Sequence, residues 1–132
     1  MTRPSAKPLP PPTDAELEIL RALWQRGSST VREIHDQLGA TKTVGYTTVL
    51  KQMQVMHRKG LVRRSERFRS HVYEAARTRP ATERQIVTTL LANVFDGSAR
   101  GLLQSVLAGR KVDADELDEI RQLLDAHERK TR

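Results

Sequence analysis

Apolar residues recur every three or four positions over most of this chain, and the places where that rhythm stops mark its elements. Thr13 and Glu16 form a capping-box pattern, and Leu17, Leu20, Leu23 and Trp24 follow at helical spacing until Gly27. In such a box a hydroxyl and a carboxylate satisfy backbone amides reciprocally, which starts a helix, and a glycine after the last periodic residue stops it. Ser29 or Thr30 can cap a second, short helix whose Val31, Ile34 and Leu38 face inward, ending at Gly39. The polar link ATKT leads to a third helix from about Gly45 to Arg58, with Tyr46, Val49, Leu50, Met53 and Met56 on one side and Gly60 as its stop. Beyond Gly60 the pattern turns extended: LVRRS and SHVYEA read as two short strands, with ERFR as the hairpin tip between them. Three short helices followed by a basic hairpin describe a winged helix-turn-helix domain over 13–79.

Pro80 marks the next boundary. Ile86, Val87, Leu90, Leu91, Val94 and Phe95 form a broad helical stripe ended by Gly97; Ser98 can cap a helix carrying Leu102, Leu103, Val106 and Leu107. Asp113 with Glu116 repeats the capping box ahead of Leu117, Ile120, Leu123 and Leu124. Three amphipathic helices in about fifty residues have difficulty burying their stripes alone. The economical partner is a second copy of the chain related by a twofold axis, the alternative being packing against the N-terminal domain. We therefore assign Ile86, Val87, Leu90, Leu91, Val94, Phe95, Leu102, Leu103, Val106, Leu107, Leu117, Ile120 and Leu124 to a homodimer interface in a helical domain over 80–132. The fold class is mainly α: an N-terminal winged helix with a small β-wing, then a three-helix dimerisation domain. Residues 1–12 hold five of the six prolines and almost nothing to bury, so they read as a disordered, Pro-rich tail.

Charge sharpens this outline. The net charge of +7 is confined to one part: residues 1–80 carry 15 Lys and Arg against 7 Asp and Glu, residues 81–132 carry 8 against 9. A positive field restricted to one segment is the footprint of a polyanion binder, since Lys and Arg gain affinity by displacing counterions from phosphates. No apolar run approaches the ~20 residues of a membrane-spanning helix. The N-terminus shows no signal-peptide core, and the chain has no cysteine, which removes disulfides and thiolate metal sites. The expectation is a soluble, cytoplasmic protein without membrane insertion.

On a helical wheel, advancing ~100° per residue, Val49, Met53, Met56 and Tyr46 fall within a sector of roughly 80°. Thr47, Lys51, Gln54 and Arg58 cluster on the opposite side with Thr48 and Val55 beside them. In a helix-turn-helix the equivalent helix enters the major groove and reads base edges near its N-terminus, where Thr47, Thr48 and Lys51 stand. Lysine donates to guanine O6 and N7, and threonine offers a hydroxyl and a methyl that suits the thymine methyl. Gly45 leaves room for close backbone approach, and the amides at the helix start can bind a phosphate. Thr30 and Thr43, beside the helix starts, join the set of candidate DNA contacts. Arg63, Arg64, Arg67, Arg69 and His71, on or beside the hairpin, are assigned to phosphate contact, which supplies register and salt-dependent affinity. An ordinary solvated face is the plain alternative for any one of these arginines.

The joint pattern LEILRALWQRGSSTVREIHDQL, YTTVLKQMQVMHRKGLVRR, RSHVYEA, FDGSARGLLQSVL and DELDEIRQLL resembles the penicillinase-repressor family of bacterial transcription regulators over about residues 13–127. That family includes β-lactamase, methicillin-resistance and copper-responsive repressors. The resemblance implies a homodimer that binds a palindromic DNA operator and blocks transcription. It also implies a candidate membrane sensor protease as partner, through which drug-responsive members are cut in the C-terminal domain. By position, the family's recognition-helix threonine falls on Thr48, its small or polar neighbour on Thr47 and its wing arginine on Arg69. Three departures stand out: Lys51 replaces a common threonine and Val55 a common arginine, which bears on operator preference. The cleaved asparagine–phenylalanine bond corresponds to Ser105–Val106, which argues against cleavage by that specificity. Copper-responsive members carry a cysteine motif, and this chain has no cysteine, which argues against copper sensing.

Enzyme chemistry finds no support. His35, His57, His71 and His127 lie in different elements without metal-ligand spacing, and no phosphate loop or nucleophile motif occurs. His35 reads as a surface residue of the second helix. Asp113, Asp115, Glu116, Asp118 and Glu119 are ordinary acidic complements to a helix start. No cofactor or metal is expected. Two other readings compete with operator binding: a winged-helix module for a protein or RNA partner, and a small-molecule-sensing regulator.

Overall fold

The computed structural model describes residues 10–131, so the proline-rich segment 1–12 lies, through residue 9, outside the described residues. Helices α1 (Asp14–Arg26), α2 (Val31–Gly39) and α3 (Tyr46–Lys59) are followed by strands β1 (Val62–Arg67) and β2 (Ser70–Ala75), then α4 (Arg79–Val94), α5 (Ala99–Gly109) and α6 (Ala114–Thr131). The chain divides into two compact units, the first running through Thr89 and the second from Leu90, with α4 contributing to both. The first unit is a winged helix.

Its helices start where side chains replace missing backbone partners. The Thr13 hydroxyl accepts from the Glu16 amide at 3.2 Å while the Glu16 carboxylate accepts from the Thr13 amide at 2.9 Å. Thr30 and Glu33 repeat that box with the same two distances, which decides the cap of α2 in favour of Thr30. The passed-over Ser29 is buried and exchanges both backbone hydrogen bonds with Tyr73, at 2.9 and 2.8 Å, so that the chain between α1 and α2 lies beside β2. Glycines with positive φ end two helices, Gly27 at φ 85° and, in the left-handed helical conformation, Gly60 at φ 83°, angles that cost a side-chain-bearing residue steric strain.

The core of this unit is built from the inward faces of all three helices and the base of the wing, with Ile34, Met53 and Met56 fully enclosed and Tyr73 nearly so. The structure differs from the helical-wheel expectation at two places. Ile19 is buried with Leu20 and Leu23, whereas Leu17 and Trp24 are half-buried; the Trp24 indole donates to the Arg77 carbonyl at 2.9 Å, tying α1 to the segment after β2. Tyr46, expected inside, is 41% exposed. It occupies the first turn of α3, beyond the reach of the core below it.

The hairpin is tighter than expected. β1 and β2 pair antiparallel from Val62↔Ala75 to Arg67↔Ser70, so Glu66 and Arg67 belong to the strand and only Phe68 and Arg69 make the tip. In the second unit Ser98 caps α5, accepting from the Gly101 amide at 2.9 Å. At the start of α6 the capping box forms by half: Asp113 accepts from the Glu116 amide at 2.8 Å, but the Glu116 carboxylate is drawn to Arg110 at 2.6 Å. A charged partner outcompetes a backbone amide for that carboxylate. Among the described residues no side chain of α5 or α6 is buried in the single chain.

Candidate nucleic-acid interface

α3 has a buried apolar face and an exposed polar one. Val49, Met53 and Met56 are buried and hold the helix to the core, while Thr47, Thr48, Lys51 and Arg58 are exposed and Gln54 is half-buried. Its start is unlike those of α1 and α2, because Gly45 supplies no side chain to cap the first-turn amides. A helix start without a cap carries the positive end of the helix dipole and unpaired donors, a combination that suits a phosphate.

What surrounds that start also organises it. His35 is half-buried, not a free surface residue: its Nε2 lies 2.9 Å from the Val44 carbonyl and its Nδ1 3.3 Å from Asp36, which holds the α2–α3 link. The imidazole meets Tyr46 edge-on with centroids 5.9 Å apart, and the Arg32 guanidinium sits 5.4 Å from the Tyr46 ring centre. Arg32 and Tyr46 therefore extend the polar surface of α3 onto α2. Sequence reasoning missed both; the available signal was the position of Tyr46 in the first turn, three residues ahead of the first buried contact.

The wing lies within reach of this surface. A recess of about 380 Å³ is lined by Thr30, Arg32, Tyr46, Ser70, His71 and Tyr73 among others, so Thr30 and His71, distant in sequence, share one concavity. The Thr30 hydroxyl is already engaged as a cap. Thr43 is exposed in the α2–α3 link. The arginines of the wing divide. Arg63 donates to the Ala76 carbonyl at 3.1 Å and lies 3.7 Å from Glu74, which spends part of its charge inside the protein. Arg64, Arg67 and Arg69 are exposed and, among the described residues, carry no carboxylate partner. His71 is exposed and meets Tyr73 edge-on, with ring centroids 6.5 Å apart.

Behind the polar face, Lys59 at the end of α3 donates to Glu16 at 2.7 Å. Glu16 is only 1% exposed. Burial pushes its carboxyl up, but the Lys59 hydrogen bond and charge together with the Thr13 amide outweigh that and hold it below the ordinary value of 4.5. Glu33 is likewise held low, first by the Thr30 amide and then, against a smaller effect of burial, by the Thr30 hydroxyl and Arg26. No group of three or more His, Cys, Asp or Glu able to hold a metal occurs among the described residues.

The pattern of the penicillinase repressor family matches residues 12–126. The chain belongs to that family. It is 32% identical over 114 residues to the transcriptional regulator BlaI of Mycobacterium tuberculosis, covering 84% of this chain and 80% of that one. It is 23% identical over 125 residues to the penicillinase repressor of Bacillus licheniformis, covering 92% and 94%. Among solved structures it matches that of the monomeric form of Bacillus licheniformis BlaI in complex with the blaP half-operator, with 25% identity and a TM-score of 0.48 over 54% of this chain and 87% of that one.

The apolar positions assigned to self-association fall on α4, α5 and α6. Leu90, Val94, Val106, Leu107 and Leu124 are exposed, and Leu91, Phe95, Leu102, Leu103, Leu117 and Ile120 are half-buried. Ile86, half-buried, and Val87, exposed, belong to the part of α4 within the first unit. Leu123, 70% exposed, was not among the assigned residues. Ser105 and Val106 both lie exposed on α5. No helix among the described residues is long and apolar enough to cross a membrane.

Proposed function

We propose that this member of the penicillinase repressor family is a DNA-binding transcriptional repressor that acts as a homodimer on a palindromic operator. The observation that carries the reading is the division of α3 into a buried face and an exposed face of Thr47, Thr48 and Lys51, beside a wing whose Arg64, Arg67 and Arg69 are exposed and, among the described residues, have no carboxylate partner. A helix held rigidly by its apolar side presents the other side at a fixed angle, which is what reading base edges requires. Lys51 is assigned to a base edge, Thr47 and Thr48 to bases or the adjoining phosphate, and Arg64, Arg67 and Arg69 to phosphates flanking the site.

Support for the homodimer comes from the second unit, where Val94 is 62% and Leu123 70% exposed in the single chain. Large apolar side chains in that number rarely remain in water, and a twofold partner covers them with the same surface. Two recognition helices then address half-sites about one turn, ~34 Å, apart.

The test is fluorescence anisotropy with a labelled duplex from the protein's own promoter region and a scrambled duplex, at two salt concentrations. Preference for the native duplex that persists at the higher salt is expected, and Lys51→Ala is expected to reduce that preference by about 5- to 100-fold, the worth of one good base contact. Equal, salt-labile binding to both duplexes would overturn operator reading and direct the search to a protein or RNA partner.

A further inference from the structure

We propose that Phe68, at the tip of the wing, is an apolar wedge that enters the minor groove and partly opens a base step beside the site read by α3. The inference rests on the reading of this chain as a binder of duplex DNA. Phe68 is 94% exposed and so packs on almost nothing in its own chain, although a phenyl ring is among the side chains most favoured in an interior. It also occupies a position where the backbone disfavours it. Arg67↔Ser70 is the last strand pair, leaving Phe68 and Arg69 to close the hairpin with φ 51° and 66°. Two-residue turns with both central residues left-handed are the type I′ arrangement, for which Asn-Gly and related pairs are preferred because a bulky side chain crowds the backbone. The fold therefore has no use for a phenylalanine here: asparagine or glycine would make a better turn and a better-hydrated surface.

A residue that opposes both local backbone preference and hydration is explained by something outside the chain. The neighbours of Phe68 indicate what that is. Arg67 and Arg69 flank it, both exposed and, among the described residues, without carboxylate partners. An apolar point between two cations matches a DNA groove, whose rims are phosphates and whose floor and walls are base edges and sugars. A bilayer is a poorer match, since among the described wing residues no other large hydrophobic side chain is exposed with Phe68. Side chains of this kind unstack a base step and bend the duplex, so the wedge supplies affinity and sensitivity to how easily the flanking step deforms.

The experiment compares the full chain with Phe68→Asn and Phe68→Leu on a promoter-region duplex, with 2-aminopurine placed in turn at steps outside the half-sites. Phe68→Asn is expected to raise Tm, because it suits a left-handed turn, yet to weaken binding about tenfold or more and abolish the rise in 2-aminopurine fluorescence. Its salt slope should be that of the wild type, since no charge is removed; Arg69→Ala, by contrast, should reduce the slope by about one. Phe68→Leu, still an apolar wedge, should retain most of the affinity. Wild-type binding by Phe68→Asn with an unchanged 2-aminopurine signal, while Lys51→Ala still loses sequence preference, would overturn the wedge and leave operator reading intact. That result would favour a protein partner for the tip. If the wild type itself shows no preference for the native duplex and no 2-aminopurine response, the wedge falls together with the operator reading.

Discussion

Gly45 shows how a single residue can be judged by what the protein does and does not require of it. Its φ of −76° is open to any residue, and an added Cβ would meet only Thr48 Oγ1 at 3.8 Å, an ordinary contact. The fold does not need glycine there, whereas a phosphate seated on the uncapped amides of α3 would. Gly45→Ala is therefore expected to leave Tm unchanged or raise it by the equivalent of about 0.5 kcal/mol, through reduced freedom of the unfolded chain. Operator affinity should fall several-fold in the same variant. Unchanged affinity would place the phosphate away from this turn. The exposure of Thr47, Thr48 and Lys51 was legible in the sequence because helical periodicity alone separates them from Val49 and Met53. Arg63 was not distinguishable from Arg64, because its loss to Glu74 and Ala76 depends on the register of the hairpin.

At the level of elements, the Glu16–Lys59 pair joins the first turn of α1 to the last turn of α3 and so fixes the angle at which the polar face is presented. Removing Lys59 leaves a buried carboxylate without its cation. Because the Lys59 side chain is 39% exposed and its charge is screened by solvent, we expect Lys59→Met to cost about 1–3 kcal/mol, below the range for fully buried pairs. The acid dependence follows from the direction of the shift. A carboxyl held low in the folded state contributes stability that is fully present above the ordinary value of 4.5 and is lost as pH falls through the folded value. The Tm difference between wild type and Lys59→Met should thus be largest near neutral pH and shrink as the solution is made acidic, first because the variant's uncompensated buried carboxyl takes up its proton and then because the wild type's does. A difference that persists undiminished at pH 3 would mean that packing of the lysine stem, not its charge, holds α3. Glu33, also held low by the α2 cap, leaves both proteins with some acid sensitivity in common.

For the whole molecule, the proposed homodimer assigns to the second unit the stoichiometry that operator reading needs. Leu90 and Leu124 are exposed in the single chain, Leu91 half so, and burying such a side chain is worth about 1.5–3 kcal/mol. Leu90→Glu combined with Leu91→Glu is expected to give monomers in sedimentation velocity while circular dichroism remains helical. Operator affinity should drop about 100-fold or more as the second half-site is lost. Full-affinity binding by confirmed monomers would remove the dimer from the mechanism. The net positive charge of the N-terminal part and its absence from the rest accord with this division, since in the proposed reading only the N-terminal part meets a polyanion.

The sequence by itself determined which elements occur and, for the helices, roughly where they start and stop, because caps, glycine stops and the periods of 3.6 and 2 act through backbone groups only a few residues apart. Thr13 with Glu16, Gly60 and the alternation after it were sufficient for three helices and a wing, and the joint motif pattern was sufficient for the family. Tertiary structure alone decided which members of those patterns are used: Ile19 is buried more deeply than Leu17, Tyr46 turns outward to Arg32 and His35, and Glu16 meets a lysine 43 residues away. It also shortened the wing tip to Phe68 and Arg69, since strand register is a property of two segments paired together. Burial, ion pairing and register depend on which distant surfaces come together, and no local spacing carries that information.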